Sequence, residues 1–103
     1  MKDIKEPTKK INVEFLSLPI VTKIVGSKFL TLDFSGQTLN ELIHEIINRY
    51  GQELRSFLLD ESGKLDRTFK VHLNKKEWIP PEQMNKTLKD GDQVTLMMLV
   101  AGG

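Results

Sequence analysis

The sequence predicts an α+β domain in which one main helix packs on one face of a four- to five-stranded sheet, in the order β-β-α-β-β-β. Three observations carry this expectation. Several short runs alternate apolar and polar residues, the period of a half-buried strand. One longer segment, Thr38 to Tyr50, instead places apolar residues three and four positions apart, the period of a helix. That helix has no helical neighbour of comparable length, so its stripe has to be buried against the sheet, and the opposite sheet face is left uncovered.

The first strand begins at Ile11, where Ile11, Val13 and Phe15 alternate with Asn12 and Glu14. Pro19 ends its ladder by about Leu18. Residues 1–10, with four lysines, two acids and a proline, read as a mobile N-terminal arm. The stretch PIVTKIVG reads as the enlarged loop of a hairpin, leading to a second strand, SKFLTLDF, with Leu30, Leu32 and Phe34 on one face. Thr38 and Glu41 have the spacing of a capping box. Behind them Leu39, Leu42, Ile43, Ile46, Ile47 and Tyr50 form one apolar stripe, which Gly51 terminates. Leu54, Phe57, Leu58 and Leu59 suggest one more helical turn. Phe69, Val71 and Leu73 mark a third strand, and NKKEWI a tight turn into a short edge strand closed by Pro80-Pro81. Asp90-Gly91-Asp92 is a turn, and Val94 to Val100 the last strand. The expected organisation is therefore an arm (1–10), a single domain (11–100) and a flexible Ala-Gly-Gly tail (101–103).

Composition narrows the function. In 103 residues, 39% hydrophobic and 28% charged, one globular core can form. Fifteen basic residues against fourteen acidic leave +1, without the basic surplus of a nucleic-acid or anionic-membrane binder. The absence of cysteine removes disulfides, thiolate catalysis and cysteine-ligated metals. No apolar run is long enough to span a bilayer, and the opening MKDIKEPTKK lacks the apolar core of a signal peptide, so a cytoplasmic location is expected. The two histidines, His44 and His72, lie on different elements without a carboxylate cluster, and no metal site is expected. Trp78 reads as edge packing.

The segments TLNELIHEIINRYG, KVHLNKKEW and LKDGDQVTLMMLVAGG together resemble the ubiquitin-like (β-grasp) sulfur-carrier family of the MoaD/ThiS type. That family includes the small subunit of molybdopterin synthase, the thiamine and cysteine sulfur carriers and the archaeal ubiquitin-like modifiers. The match runs from about Ile11 to Gly103, and its most specific part is Leu-x-Asp-Gly-Asp-x-Val followed by Gly102-Gly103. The resemblance implies a mixed sheet. It also implies that the Gly103 carboxylate is adenylated by an E1-like adenylyltransferase using ATP and Mg²⁺, then converted by a sulfur donor to a thiocarboxylate. An acceptor synthase or sulfurtransferase consumes that sulfur, and the carrier itself, holding no cofactor, is not an enzyme. Met97-Met98-Leu99 stands where many molybdopterin synthase subunits carry a proline, which leaves the pathway open among molybdopterin or tungsten cofactor, cysteine, thiamine and tRNA thiolation.

The chemistry agrees with the residue types. A carboxylate acylates poorly because oxide is a very poor leaving group, and adenylation replaces it with a good one. A narrow enzyme channel admits a glycine backbone most easily, which suits Ala101, Gly102 and Gly103 as the tail that enters it. By parity Val94, Leu96, Met98 and Val100 face the helix, whereas Thr95, Met97 and Leu99 face outward, with His72 beside them. Thr95, Met97, Leu99, Val100 and His72 are accordingly the expected partner-binding residues, with methionine suited to more than one partner. Two further readings stay open: a ubiquitin-like modifier that forms isopeptide bonds through Gly103, and a β-grasp interaction module whose glycines are incidental.

Overall fold

The computed structural model describes residues 8–98, in which five strands form one mixed sheet. Strand β1 spans Lys9–Leu16, β2 Phe29–Phe34, β3 Phe69–Leu73, β4 Glu77–Ile79 and β5 Gln93–Met98. Their spatial order is β2-β1-β5-β3-β4, with β1 and β5 parallel and the other neighbours antiparallel. The last strand in sequence is therefore the middle strand of the sheet. Leu99 and Val100, expected at the end of the last strand, the expected tail 101–103, and most of the expected arm, residues 1–7, lie outside the described residues. Strand β1 starts two residues before Ile11, because Lys9 and Lys10 pair with Phe34 and Asp33.

Alternation decides the faces. Ile11, Val13 and Phe15 of β1, Leu32 and Phe34 of β2, Phe69, Val71 and Leu73 of β3, and Val94 and Leu96 of β5 are all buried in one core. The helix expected to cover them, α2, spans Leu39–Tyr50. Its capping box is complete: Thr38 Oγ1 accepts from the Glu41 amide, and Glu41 Oε1 accepts from the amides of Gln37 at 2.7 Å and Thr38 at 3.0 Å. These bonds, that from Gln37 foremost, hold the Glu41 carboxyl below its ordinary value. Leu39, Leu42, Ile43, Ile46 and Ile47 are buried against the sheet.

Two further helices flank α2. PIVTKIVG is not a loop: helix α1 spans Pro19–Val25, with Pro19 in its first turn, Val21 fully buried and Gly26 closing it at φ 91°. Its β-branched residues are weak helix formers, so local preference disguised an element that Pro19, Gly26 and burial of Val21 impose. Helix α3, Gln52–Leu58, extends the single turn expected there and buries Leu54 and Leu58.

Both ends of the β5 approach are pinned. Asn74 and Lys75 at φ 53° and 57° make the tight β3–β4 turn. Asn74 Oδ1 accepts from the Gln93 amide at 2.8 Å, and Asp92 Oδ1 accepts from Asn74 Nδ2 at 3.0 Å. On the other side Asp90 Oδ1 accepts from the Lys10 amide at 2.7 Å, and the Gly91 amide donates to the Lys10 carbonyl. Gly91 sits at φ 89°, a conformation that favours glycine, so Asp90-Gly91-Asp92 is a turn tied to both neighbours of β5.

Candidate functional site

The strand registers lay out, row by row, the sheet face that no described helix covers. Glu14 pairs with Phe29 on one side and Thr95 on the other, and His72 pairs with both Thr95 and Trp78. One row thus crosses all five strands as Phe29–Glu14–Thr95–His72–Trp78. The next row towards the C-terminal end of β5 is Leu16–Met97–Lys70. Phe29 is 59% exposed, Trp78 56% and Leu16 37%, whereas Met97, Lys70 and His72 are half-buried. The His72 and Trp78 rings stack with centroids 4.3 Å apart and planes 13° from parallel. At the far end of the face Lys10 and Asp33 share a 2.8 Å ion pair whose hydrogen bond raises the amine and lowers the carboxyl. Both groups are largely exposed, so the pair adds little to stability.

The expected partner-binding residues fall into three groups. Met97 and His72 lie on the uncovered face as parity required. Leu99 and Val100 lie outside the described residues, as do Ala101, Gly102 and Gly103. Thr95 needs correction: it points to that face but is only 3% exposed, and its Oγ1 has no hydrogen-bond partner among the described residues. Its place at the centre of the central strand, between Glu14 and His72, removes it from solvent. Trp78, expected as edge packing, stands on the edge strand β4, stacked on His72 and still 56% exposed.

Sequence reasoning missed Glu14, Leu16 and Phe29. Leu16 and Phe29 are apolar residues out of phase with the core residues of their own strands, and that phase break was legible. Glu14 gave no comparable sign. Its side chain is 13% exposed, with Gln93 Nε2 at 3.4 Å and Lys75 Nζ at 3.9 Å.

Among the described residues no three His, Cys, Asp or Glu side chains converge on a possible metal position. His44 Nδ1 donates to the Asn40 carbonyl at 2.9 Å on α2, on the other side of the sheet from His72. A cavity of about 610 Å³ lies between the 60–67 loop, strand β3, Ile79 of β4 and the 81–85 segment, with Asn40 of α2 at its wall. No described helix is long and apolar enough to cross a membrane.

Comparison with known proteins places this geometry. No curated protein sequence matches the chain significantly. CysO in its complex with BexX from Amycolatopsis orientalis is similar at 27% identity and a TM-score of 0.67, over 90% of this chain and 99% of that chain. Urm1 from Trypanosoma brucei is similar at 25% identity and a TM-score of 0.67, over 96% and 100%. The small archaeal modifier protein SAMP1 from Haloferax volcanii shares the fold at a TM-score of 0.73 and 19% identity, over 91% and 99%. The fold is thus the ubiquitin-like β-grasp. The model of the ThiS family matches residues 20–103, from the start of α1 to the final glycine, and the chain belongs to that family.

Proposed function

We propose that this protein is a cytoplasmic sulfur carrier whose Gly103 carboxylate is the group that reacts. One carboxylate oxygen attacks the α-phosphorus of ATP in an E1-like adenylyltransferase, pyrophosphate leaves, and an acyl-adenylate forms. Hydrosulfide or its equivalent then attacks the acyl carbon, AMP leaves, and the thiocarboxylate goes on to an acceptor enzyme. ATP and Mg²⁺ belong to the activating enzyme. The carrier supplies the tail and a docking face, and does not catalyse.

The single observation that carries this reading is the ThiS family match running through Gly102 and Gly103. The position of β5 supports it. The strand that precedes the tail in sequence, β5, is the central strand and is paired on both edges, beside a face where Leu16, Phe29, Met97 and Trp78 offer apolar contact. The likeness to CysO, solved with BexX, supports docking on a partner enzyme.

The test is intact mass after incubation with an E1-like enzyme of the same organism, ATP, Mg²⁺ and a sulfide source. The expected gain equals exchange of one oxygen for sulfur, and deletion of Gly103 removes it. No gain with any such enzyme would overturn the sulfur-carrier reading. A second reading, in which the activated carboxylate ends in an isopeptide bond to lysine, shares the first step and is favoured by the structural likeness to the archaeal modifier. Conjugates of raised mass recovered from cells through Gly103 would select it.

A further inference from the structure

A protein-binding face ordinarily has an apolar centre and a polar rim. Here the order is reversed. Phe29 and Trp78 stand at the two ends of the row and Leu16 and Met97 along the side nearer the C-terminal end of β5, while Glu14, Thr95 and His72 hold the middle. Hydrogen-bonding capacity there is unspent. The Glu14 carboxylate, on a side chain 13% exposed, has its nearest partners at 3.4 and 3.9 Å, beyond ordinary hydrogen-bond length. The second of these is Lys75, itself 64% exposed and free to leave for water. The buried Thr95 hydroxyl has no partner among the described residues.

An apolar partner closing over this centre would strand a carboxylate out of water, which is costly unless a cation arrives with it. We propose that the protein partner docking on the open face inserts an arginine at the centre of the row, donating to the Glu14 carboxylate with its planar face towards His72 and Trp78. This rests on the docking role of the open face proposed above. Arginine fits better than lysine because its guanidinium meets a carboxylate two bonds at a time, is weakly hydrated, and stacks on aromatic planes. The His72–Trp78 stack, 13° from parallel, provides such a plane in the same row. Thr95 acts as a positioning residue: once the guanidinium draws the carboxylate inward, the Thr95 O–H donates to it. Lys28, Lys70 and Lys75 lie around this centre, so acidic residues around the partner's arginine complete the match.

The experiment measures ATP–pyrophosphate exchange by an E1-like adenylyltransferase of the same organism as a function of carrier concentration. Glu14→Gln is expected to raise KM for the carrier about 10- to 100-fold with kcat unchanged, since a charged pair in an interface is lost while the tail chemistry is not. Its Tm stays near wild type, because Glu14 makes no short bond in the free protein. Thr95→Val keeps or raises Tm, as no bond is lost, yet raises KM by a smaller factor. Lys75→Met leaves KM unchanged or lower, because Lys75 competes for the same carboxylate. In the enzyme, replacing the facing arginine by alanine or lysine raises KM for wild-type carrier and adds nothing to the loss in Glu14→Gln. A wild-type KM for Glu14→Gln overturns this inference alone. Failure of the wild-type carrier to support any exchange overturns the carrier reading and this inference together.

Discussion

Two neighbouring rows cross the same sheet one residue apart and are built on opposite principles. Phe15 pairs with Leu96, Leu96 with Val71 and Val71 with Ile79, and none of the four exceeds 4% exposure. One residue away, Phe29–Glu14–Thr95–His72–Trp78 has aromatic ends in solvent and polar groups at its centre. The first row is finished within the molecule, because α2 closes it with Leu42, Ile43 and Ile46. The second satisfies neither its apolar ends nor its polar middle. Stability resides on one face and unspent binding capacity on the other, and β5 contributes alternate residues to both.

The largest effect that can break this division is Leu96→Ala. Removing a fully buried side chain from the central strand should cost about 2–5 kcal/mol, the span of such truncations. It is read as a fall in the urea midpoint at unchanged slope. The remaining folded protein should keep its KM in adenylation. A loss well under 1 kcal/mol, or a raised KM at full folding, would show that the two faces are not separable.

Met97→Glu is the complementary change on the next residue. It adds charge to the open face, where surface substitutions ordinarily alter stability by no more than about 0.5 kcal/mol. Adenylation efficiency should nevertheless fall about 10- to 100-fold, because the carboxylate is desolvated against the partner. Wild-type kinetics would remove Met97 from the docking face.

The core row was more legible in the sequence than the open row, for a physical reason. Strand parity and helix period depend on apolar residues meeting one common interior, so Phe15, Val71, Leu96 and the stripe of α2 announced themselves. The capping box at Thr38 and Glu41 and the Asp90-Gly91-Asp92 turn were equally plain, since each needs particular side chains at fixed spacing. Helix α1 was not legible because Ile20, Val21, Thr22, Ile24 and Val25 favour extended chain, and tertiary burial decides against that preference. The open face was half legible. Met97 and His72 followed from parity, but the burial of Thr95 depends on what stands on the strands either side of it. That arrangement comes from register, in which β1 joins β5 in parallel across almost the whole chain.

The smallest effect sharpens the comparison by touching the core face through electrostatics alone. Glu41 closes the N-terminus of α2, and amide bonds from Gln37 and Thr38 hold its carboxyl below the ordinary value of 4.5. A carboxyl lowered in the folded state binds fewer protons there than in the unfolded chain, so its stabilisation is complete above 4.5 and disappears as pH falls through the lowered value. Glu41→Gln keeps an oxygen that can accept the same amide bonds but does not titrate. The Tm difference between wild type and Glu41→Gln should therefore be constant near neutral pH and shrink on acidification past 4.5. Asp33 and Asp60, also held low by their hydrogen bonds, act equally in both proteins and cancel in that difference. The variant's KM in adenylation at neutral pH should equal the wild-type value, since the cap touches the face that holds the fold and not the face that meets a partner. A difference in Tm that ignores pH would mean that the cap acts through shape rather than charge.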